Sequence, residues 1–373
     1  MKISCMKTDL ESAINVVLAA KGDDTSHFLF RVVNNSVQLI ATNSRIYALC
    51  PVVSNPPEIS EGEDPRFTVE AWRLKAWLSA VPDGLIIFDH QKGVTKASCA
   101  RGSQTFASLD PSKVPSWDGL INNATTTGKV KATTFRKVLD YGKKFTDTKD
   151  TTRPELCVID SKDGQFTSSD TRSMCFIKAP GMEKCKIRVH GQDTANITAF
   201  LKACGDGEVE IFEQERAFVI RRNDGAFLAE TRATVDPPTF GFDPNMVQFR
   251  WFFPVEEVSS GLAFLEAGAP KEQTTVRLRR VDQHSVEFSM PSTASGETKL
   301  VIPMTLETKE IDTASLPENG FRLQIDHLKR VLSLNSDNQL TVGVVELSNG
   351  IGYCQFSFPD ECEVTAVVLW AMG

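Results

Sequence analysis

The sequence predicts an α+β protein made of three similar domains, each packing two helices on antiparallel sheets, with one small unit repeated six times along the chain. Three observations carry that expectation. A short alternating strand runs straight into a segment of helical period, and this recurs at intervals of about sixty residues. Each such segment is followed by further strand-like runs separated by turn-forming residues. Two stretches rich in turn and breaker residues divide the repeats into pairs.

The strand starts are Lys2-Ile3-Ser4-Cys5, Phe67-Thr68-Val69, Val130-Lys131-Ala132, Ile187-Arg188-Val189, Phe249-Arg250-Trp251 and Phe321-Arg322-Leu323. The first is followed by Leu10, Ile14 and Val17, and the second by Leu74, Trp77 and Leu78. The third and fourth lead into Phe135, Val138 and Leu139, and into Ile197, Phe200 and Leu201. The last two lead into Val258, Leu262 and Leu265, and into Leu328, Val331 and Leu332. Spacings of three and four place each set on one helical face, which must be buried against a neighbouring element. The meanders turn at Asn34-Asn35-Ser36, Gln91-Lys92-Gly93, Lys162-Asp163-Gly164, Arg222-Asn223-Asp224-Gly225 and Ser348-Asn349-Gly350, residues that tolerate positive φ or cap a hairpin. Linkers are expected at 116–129 and from Asp236 to Pro244, giving domains at 1–125, 126–244 and 245–373.

The chain of 373 residues exceeds what one core accommodates, and its 41% hydrophobic and 24% charged content excludes a disordered or fibrous class. With no signal-like apolar region near Met1 and no run of eighteen apolar residues, it is expected to be soluble and cytoplasmic, without membrane attachment. Nine scattered cysteines form no C-x-x-C pair and have no histidine at zinc spacing, so they are expected to be core thiols, with no metal and no cofactor. The net charge of −7 excludes a uniformly basic nucleic-acid binder, so any DNA contact must be local. Basic residues do recur on the helices: Arg136, Lys137, Lys143 and Lys144 at a spacing of seven, Arg73 and Lys75, Lys202, and Lys329 with Arg330. A solvated helix face also explains any one of these sets, and the fifth helix breaks the pattern with Glu256, Glu257 and Glu266.

Taken in order, these residues resemble the β subunit of bacterial DNA polymerase III, the sliding-clamp family, from Met1 to Gly373. The local matches are Val37-Gln38-Leu39-Ile40-Ala41-Thr42-Asn43, the segment from Phe166 through Asp170-Thr171-Arg172 to Met174, and the ending Ala366-Val367-Val368-Leu369-Trp370-Ala371-Met372-Gly373. The resemblance implies a ring-forming DNA-clamp fold, most simply a homodimer, whose helices line a hole and meet duplex DNA without sequence preference. It implies as partners a replicative polymerase and a clamp loader that dock short peptides. Carried over position by position, the DNA-facing set is Lys21, Arg73, Lys75, Arg136, Lys137, Lys143, Lys144, Arg153, Lys202, Lys329 and Arg330. The implied peptide pocket is Leu156, Ser169, Thr171, Arg172, Met174, Pro238, Phe242, Val367, Val368, Leu369, Trp370 and Met372, with Trp370-Ala371-Met372 read as an exposed apolar end. Phe106 and the Ala267-Gly268 pair are the implied subunit edges.

Three departures stand out: Asp24 to Phe30 replaces the family's stretch after the first helix, Trp370-Ala371 stands where proline is common, and Ala267-Gly268 replaces bulky apolar side chains. No enzyme motif is present: there is no G-x-x-x-x-G-K-[ST], no G-x-G-x-x-G after a strand, no H-E-x-x-H and no G-x-S-x-G. His27, His90, His190, His284 and His327 lie apart from carboxylate or cysteine clusters in sequence. Two other readings remain open at this level. One is a β-rich scaffold protein, and the other is a clamp-like monomer that binds clamp partners without encircling DNA.

Overall fold

The structure is a computed structural model that describes all residues except 21–25, 63, 151, 239–245, 248, 271, 293–295, 309–319, 335–337, 348–350, 360–361 and 373. The chain packs as two compact units, Met1–Arg136 with Gly181–Thr234, and Lys137–Pro180 with Val235–Gly373. Among the described residues the α-helices are α1 (Lys7–Val17), α2 (Ala71–Ala80), α3 (Asp118–Asn122), α4 (Ala132–Lys144), α5 (Thr194–Lys202), α6 (Val255–Gly268) and α7 (Ile325–Leu332). All but α3 follow a strand, and these strands are Lys2–Met6, Arg66–Glu70, Thr125–Lys131, Arg188–His190, Phe249–Pro254 and Phe321–Gln324.

A shared backbone device makes the strand-to-helix step. Met6, Glu70, Pro254 and Gln324 end their strands in extended conformation and offer no side-chain cap to the helix that follows. An orphan N–H at each helix start instead reaches a carbonyl in a neighbouring loop. Lys7 donates to Gly84 at 2.9 Å, Ala71 to Ser26 at 3.0 Å, Ala132 to Gly207 at 2.9 Å, Val255 to Asn338 at 2.9 Å and Ile325 to Thr274 at 2.9 Å. The same solution at five helices is the repeat seen at the level of hydrogen bonds. The predicted stripes then turn inward, with Leu10, Ile14 and Val17, Phe135, Val138 and Leu139, and Val258, Leu262 and Leu265 all buried. Trp77 and Leu332, expected in those stripes, are only half-buried.

In the first unit, one antiparallel sheet runs in the spatial order Arg66–Glu70, His27–Val33, Ser36–Thr42, Ile46–Val52, Phe227–Thr231, Ala217–Arg222, Glu208–Glu213 and Thr125–Lys131. Two meanders are thus welded where Ala48 faces Leu228 and Leu49 faces Phe227. A second sheet runs Lys2–Met6, Leu85–Gln91, Val94–Cys99 and Gly102–Ala107, leaving the last strand as a free edge. In the second unit the path runs Val158–Lys162, Gln165–Ser169, Ser173–Lys178, Glu363–Met372, Phe321–Gln324, Thr275–Arg280, Ser285–Ser292 and Gly296–Pro303, where this path ends in an edge strand. Three predicted hairpins have the left-handed pairs that match strand twist: Asn34 and Asn35 at φ 50° and 60°, Lys92 and Gly93 at 49° and 76°, Asp163 and Gly164 at 51° and 76°. The predicted turn at Ser348-Asn349-Gly350 lies outside the described residues.

The expected linker at 116–129 is structured. It holds α3 and the start of strand Thr125–Lys131, and Trp117 is buried against Tyr47 at 5.9 Å between ring centroids. Leu29, Ile40, Leu49, Val219 and Ala229 complete that cluster, and Arg31 pairs with Asp118 at 2.7 Å. The segment covers an apolar sheet face, which its Thr, Asn and Gly content conceals. All nine cysteines are free thiols. Among the described residues, no helix is long and apolar enough to cross a membrane.

Candidate nucleic-acid and peptide interfaces

The helical cations divide into those already engaged and those left open. Lys144 donates to the carbonyl and hydroxyl of Ser333, both at 2.9 Å. It therefore caps the C-terminus of α7, where a cation also meets the helix dipole. Burial pulls its ammonium below the usual lysine range, against the opposing charge of Asp140. Lys329 pairs with Glu266, and Arg330 pairs with the half-buried Asp170. Arg153 pairs with Glu155 at 3.0 Å, and Arg73 pairs with Glu70 at 3.4 Å while lying over the Phe106 ring. Arg136 and Lys137 are half-buried. Lys75, Lys143 and Lys202 are exposed and make no ion pair among the described residues. Lys21 lies outside the described residues.

In the second unit, a cleft of about 560 Å³ opens between the loop 146–156, the turn Asp170-Thr171-Arg172 and the start of α7. Its walls include Leu156, Thr171 and Arg172 from the expected peptide set. They also include Arg153 and Arg330, which the resemblance had given to DNA, together with His327 and Asp326. Asp170 sits at the centre. One carboxylate oxygen accepts the backbone N–H groups of Arg172 and Ser173 at 3.1 and 2.8 Å, and the other accepts from Arg330. Burial alone would raise the Asp170 pKa, but the Arg330 hydrogen bond and charge outweigh it and hold the carboxyl below its ordinary range. His327, with Nδ1 3.0 Å from Ser173 Oγ and 3.6 Å from Asp170, is pushed down by burial although Asp170 opposes this.

The C-terminal strand divides the rest of the expected pocket. Met174 faces Val367 across the sheet and joins a buried cluster with Val247, Val345 and Tyr353, against which Leu369 packs. Leu369 N–H also donates to the Arg172 carbonyl at 2.9 Å, which ties this strand to the cleft turn. Ser169 is buried and donates to the Ser173 carbonyl at 3.1 Å, Val368 is buried, and Pro238 is half-buried. Trp370 corrects the expectation of an exposed apolar end. It is 2% exposed, lies 5.0 Å from the Phe321 ring and closes over Gly352, where even a Cβ has no room. The strand pleat sends alternate residues inward, and a tryptophan sent inward joins the core. Phe242 and the side chain of Met372 lie outside the described residues.

No family model matches this sequence. No curated protein matches it either. Solved structures do. The β subunit of DNA polymerase III from Pseudomonas aeruginosa superposes with a TM-score of 0.82 at 13% identity, covering 100% of both chains. This is the sliding-clamp fold. The DNA polymerase sliding clamp of Bacillus subtilis gives 0.79 at 14% identity over 100% of this chain and 99% of its own. The sliding clamp of Bartonella birtlesii bound to griselimycin gives 0.78 at 15% identity over 100% of both.

Two sheet edges, Gly102–Ala107 and Gly296–Pro303, lie beside the residues expected at the subunit contact. Phe106, expected at a subunit surface, is fully buried in strand Gly102–Ala107 and meets Trp77 edge-on at 6.3 Å. The strand edge itself, not the ring, is what remains open. Ala267 and Gly268 are exposed at the end of α6, and Gly268 lies so near Thr298 of the edge strand Gly296–Pro303 that a Cβ would fall 2.8 Å from its hydroxyl. The large apolar side chain on that helix is Phe264, 58% exposed, which the sequence reading passed over. Its neighbours at helical spacing, Ser260 and Ala267, are small and exposed, whereas the buried stripe takes the positions between them. Trp72 on α2 is likewise exposed and unpredicted, its indole N–H held by Glu70.

Proposed function

We propose that this protein is a DNA polymerase processivity factor, a sliding clamp that encircles duplex DNA and tethers replication proteins. The full-length agreement in fold with polymerase III β subunits is the observation that carries the reading. A clamp must not grip one sequence, so its contacts to DNA should be mobile cations acting on phosphates. Lys75, Lys143 and Lys202 suit that role because no ion pair among the described residues holds their ammonium groups. The remaining surface is free to be acidic, as the net charge of −7 requires.

The cleft of the second unit, with the Met174–Val367–Leu369 cluster, is proposed as the receptor for short peptides of the polymerase and loader. Griselimycin, which the Bartonella clamp binds, is proposed as a ligand of this cleft. Ring closure is proposed between strand Gly102–Ala107 of one copy and Gly296–Pro303 of the next, two copies being the simplest closed number. Protein loaded on closed circular DNA should survive a high-salt wash and leave once the circle is cut by a restriction enzyme. Equal retention on circular and linear DNA would remove the encircling function.

A further inference from the structure

The Asp170 turn has a counterpart in the first unit, at Thr42 to Ile46, and the two are built alike. Thr42 Oγ1 donates to the Ile46 carbonyl at 3.0 Å, and Ser169 Oγ to the Ser173 carbonyl at 3.1 Å. Asn43 Oδ1 accepts from the N–H groups of Arg45 and Ile46 at 2.8 and 2.7 Å, just as Asp170 Oδ1 accepts from Arg172 and Ser173 at 3.1 and 2.8 Å. One difference matters. Ser44 keeps a negative φ, whereas Thr171 stands at φ 75°, a conformation that a β-branched residue adopts only under constraint. The bonds that the two turns share do not demand the strain, since the first unit makes them without it; in the second turn Thr171 N–H also donates to Ser169 Oγ at 3.2 Å.

What the second turn adds is charge and a clasp. Asp replaces Asn, and its free oxygen is taken by Arg330 from α7. Ser173 Oγ is enclosed by Asp170 Oδ1 at 2.9 Å, His327 Nδ1 at 3.0 Å and Arg330 Nη1 at 3.2 Å, and the guanidinium lies 5.6 Å from the Phe145 ring centre. Beyond the clasp, Thr171 and Arg172 form a lip of the cleft, and Arg172 has no ionic partner among the described residues. We infer that Arg330 is a positioning residue of the cleft: by fixing Asp170 it holds Thr171 left-handed and sets the Thr171–Arg172 lip that a bound peptide meets. This rests on the proposed peptide-binding role of the cleft.

The test uses griselimycin as probe with the full chain. Arg330→Gln leaves a charged Asp170 unpaired and risks misfolding, so the deciding variant is the double Asp170→Asn, Arg330→Gln, which copies the neutral turn of the first unit. It should melt as a folded protein and bind griselimycin about tenfold more weakly, the change expected when about 1.4 kcal/mol of strain is released in the free protein. Adding Thr171→Gly, for which φ 75° costs little, should restore most of that affinity. Wild-type affinity in the folded double variant, or no recovery with glycine, would overturn the inference. Should the wild type itself fail to bind griselimycin, the peptide reading of the cleft falls, and amide hydrogen exchange then decides the clasp. Exchange at Arg172 and Ser173 should quicken in the double variant while Arg45 and Ile46 stay unchanged; equal exchange at Arg172 and Ser173 overturns it.

Discussion

Cations of similar sequence setting meet different ends because their partners come from distant segments. Lys143 and Lys144 are adjacent, yet Lys143 stays in solvent while Lys144 caps α7, 189 positions away. Arg330 shows the same effect, its carboxylate being supplied from position 170. Glu230 is the sharpest single-residue case. It is fully buried, its Oε1 accepts the His190 N–H at 3.3 Å, and its Oε2 has no partner among the described residues. Burial raises its pKa well above the carboxylate range, and nearby Asp193, itself paired to Arg45 at 2.8 Å, raises it further. With the folded pKa above the unfolded value, the neutral carboxyl's stability is intact below about pH 4.3 and is lost as pH rises through the folded pKa. Glu230→Gln should therefore flatten a decline of up to about 1.4 kcal/mol per pH unit in that window. Urea unfolding of both proteins from about pH 4.3 upward checks this, and parallel pH profiles would reject it.

At the scale of elements, the strand starts and apolar stripes were legible because helical and strand periods are local properties of the chain. The hairpins at Asn34-Asn35, Lys92-Gly93 and Asp163-Gly164 were legible because only residues tolerant of positive φ fit there. The segment 116–129 misled because its polar composition looks like a linker while Trp117 and Ile121 serve a sheet face. The last strand misled in a related way, since alternation shows that sides exist but not which side is core. Trp370→Ala is accordingly a core deletion, expected to cost about 3–5 kcal/mol. Chemical denaturation measures it; a loss below about 1 kcal/mol would return Trp370 to a surface role.

For the whole molecule, the proposed ring depends on surfaces that one chain leaves uncovered. Phe264 and the edge strand Gly296–Pro303 belong to such a surface, and an aromatic left in water among small residues gains most by being covered. Phe264→Asp should shift a multimer toward the 41.2 kDa monomer at micromolar concentration, as read by sedimentation equilibrium. An unchanged mass would place the subunit contact elsewhere. The sequence by itself determined the α+β class, the repeated strand-helix unit and the helical residues that carry positive charge, because these follow from period and side-chain type. Tertiary structure alone decided which cations are already paired, that Trp370 and Phe106 turn inward, that Phe264 stays outside, and that Arg330 meets Asp170 beside a strained turn. Those outcomes depend on contacts between residues far apart in the chain, whose meeting no local pattern encodes.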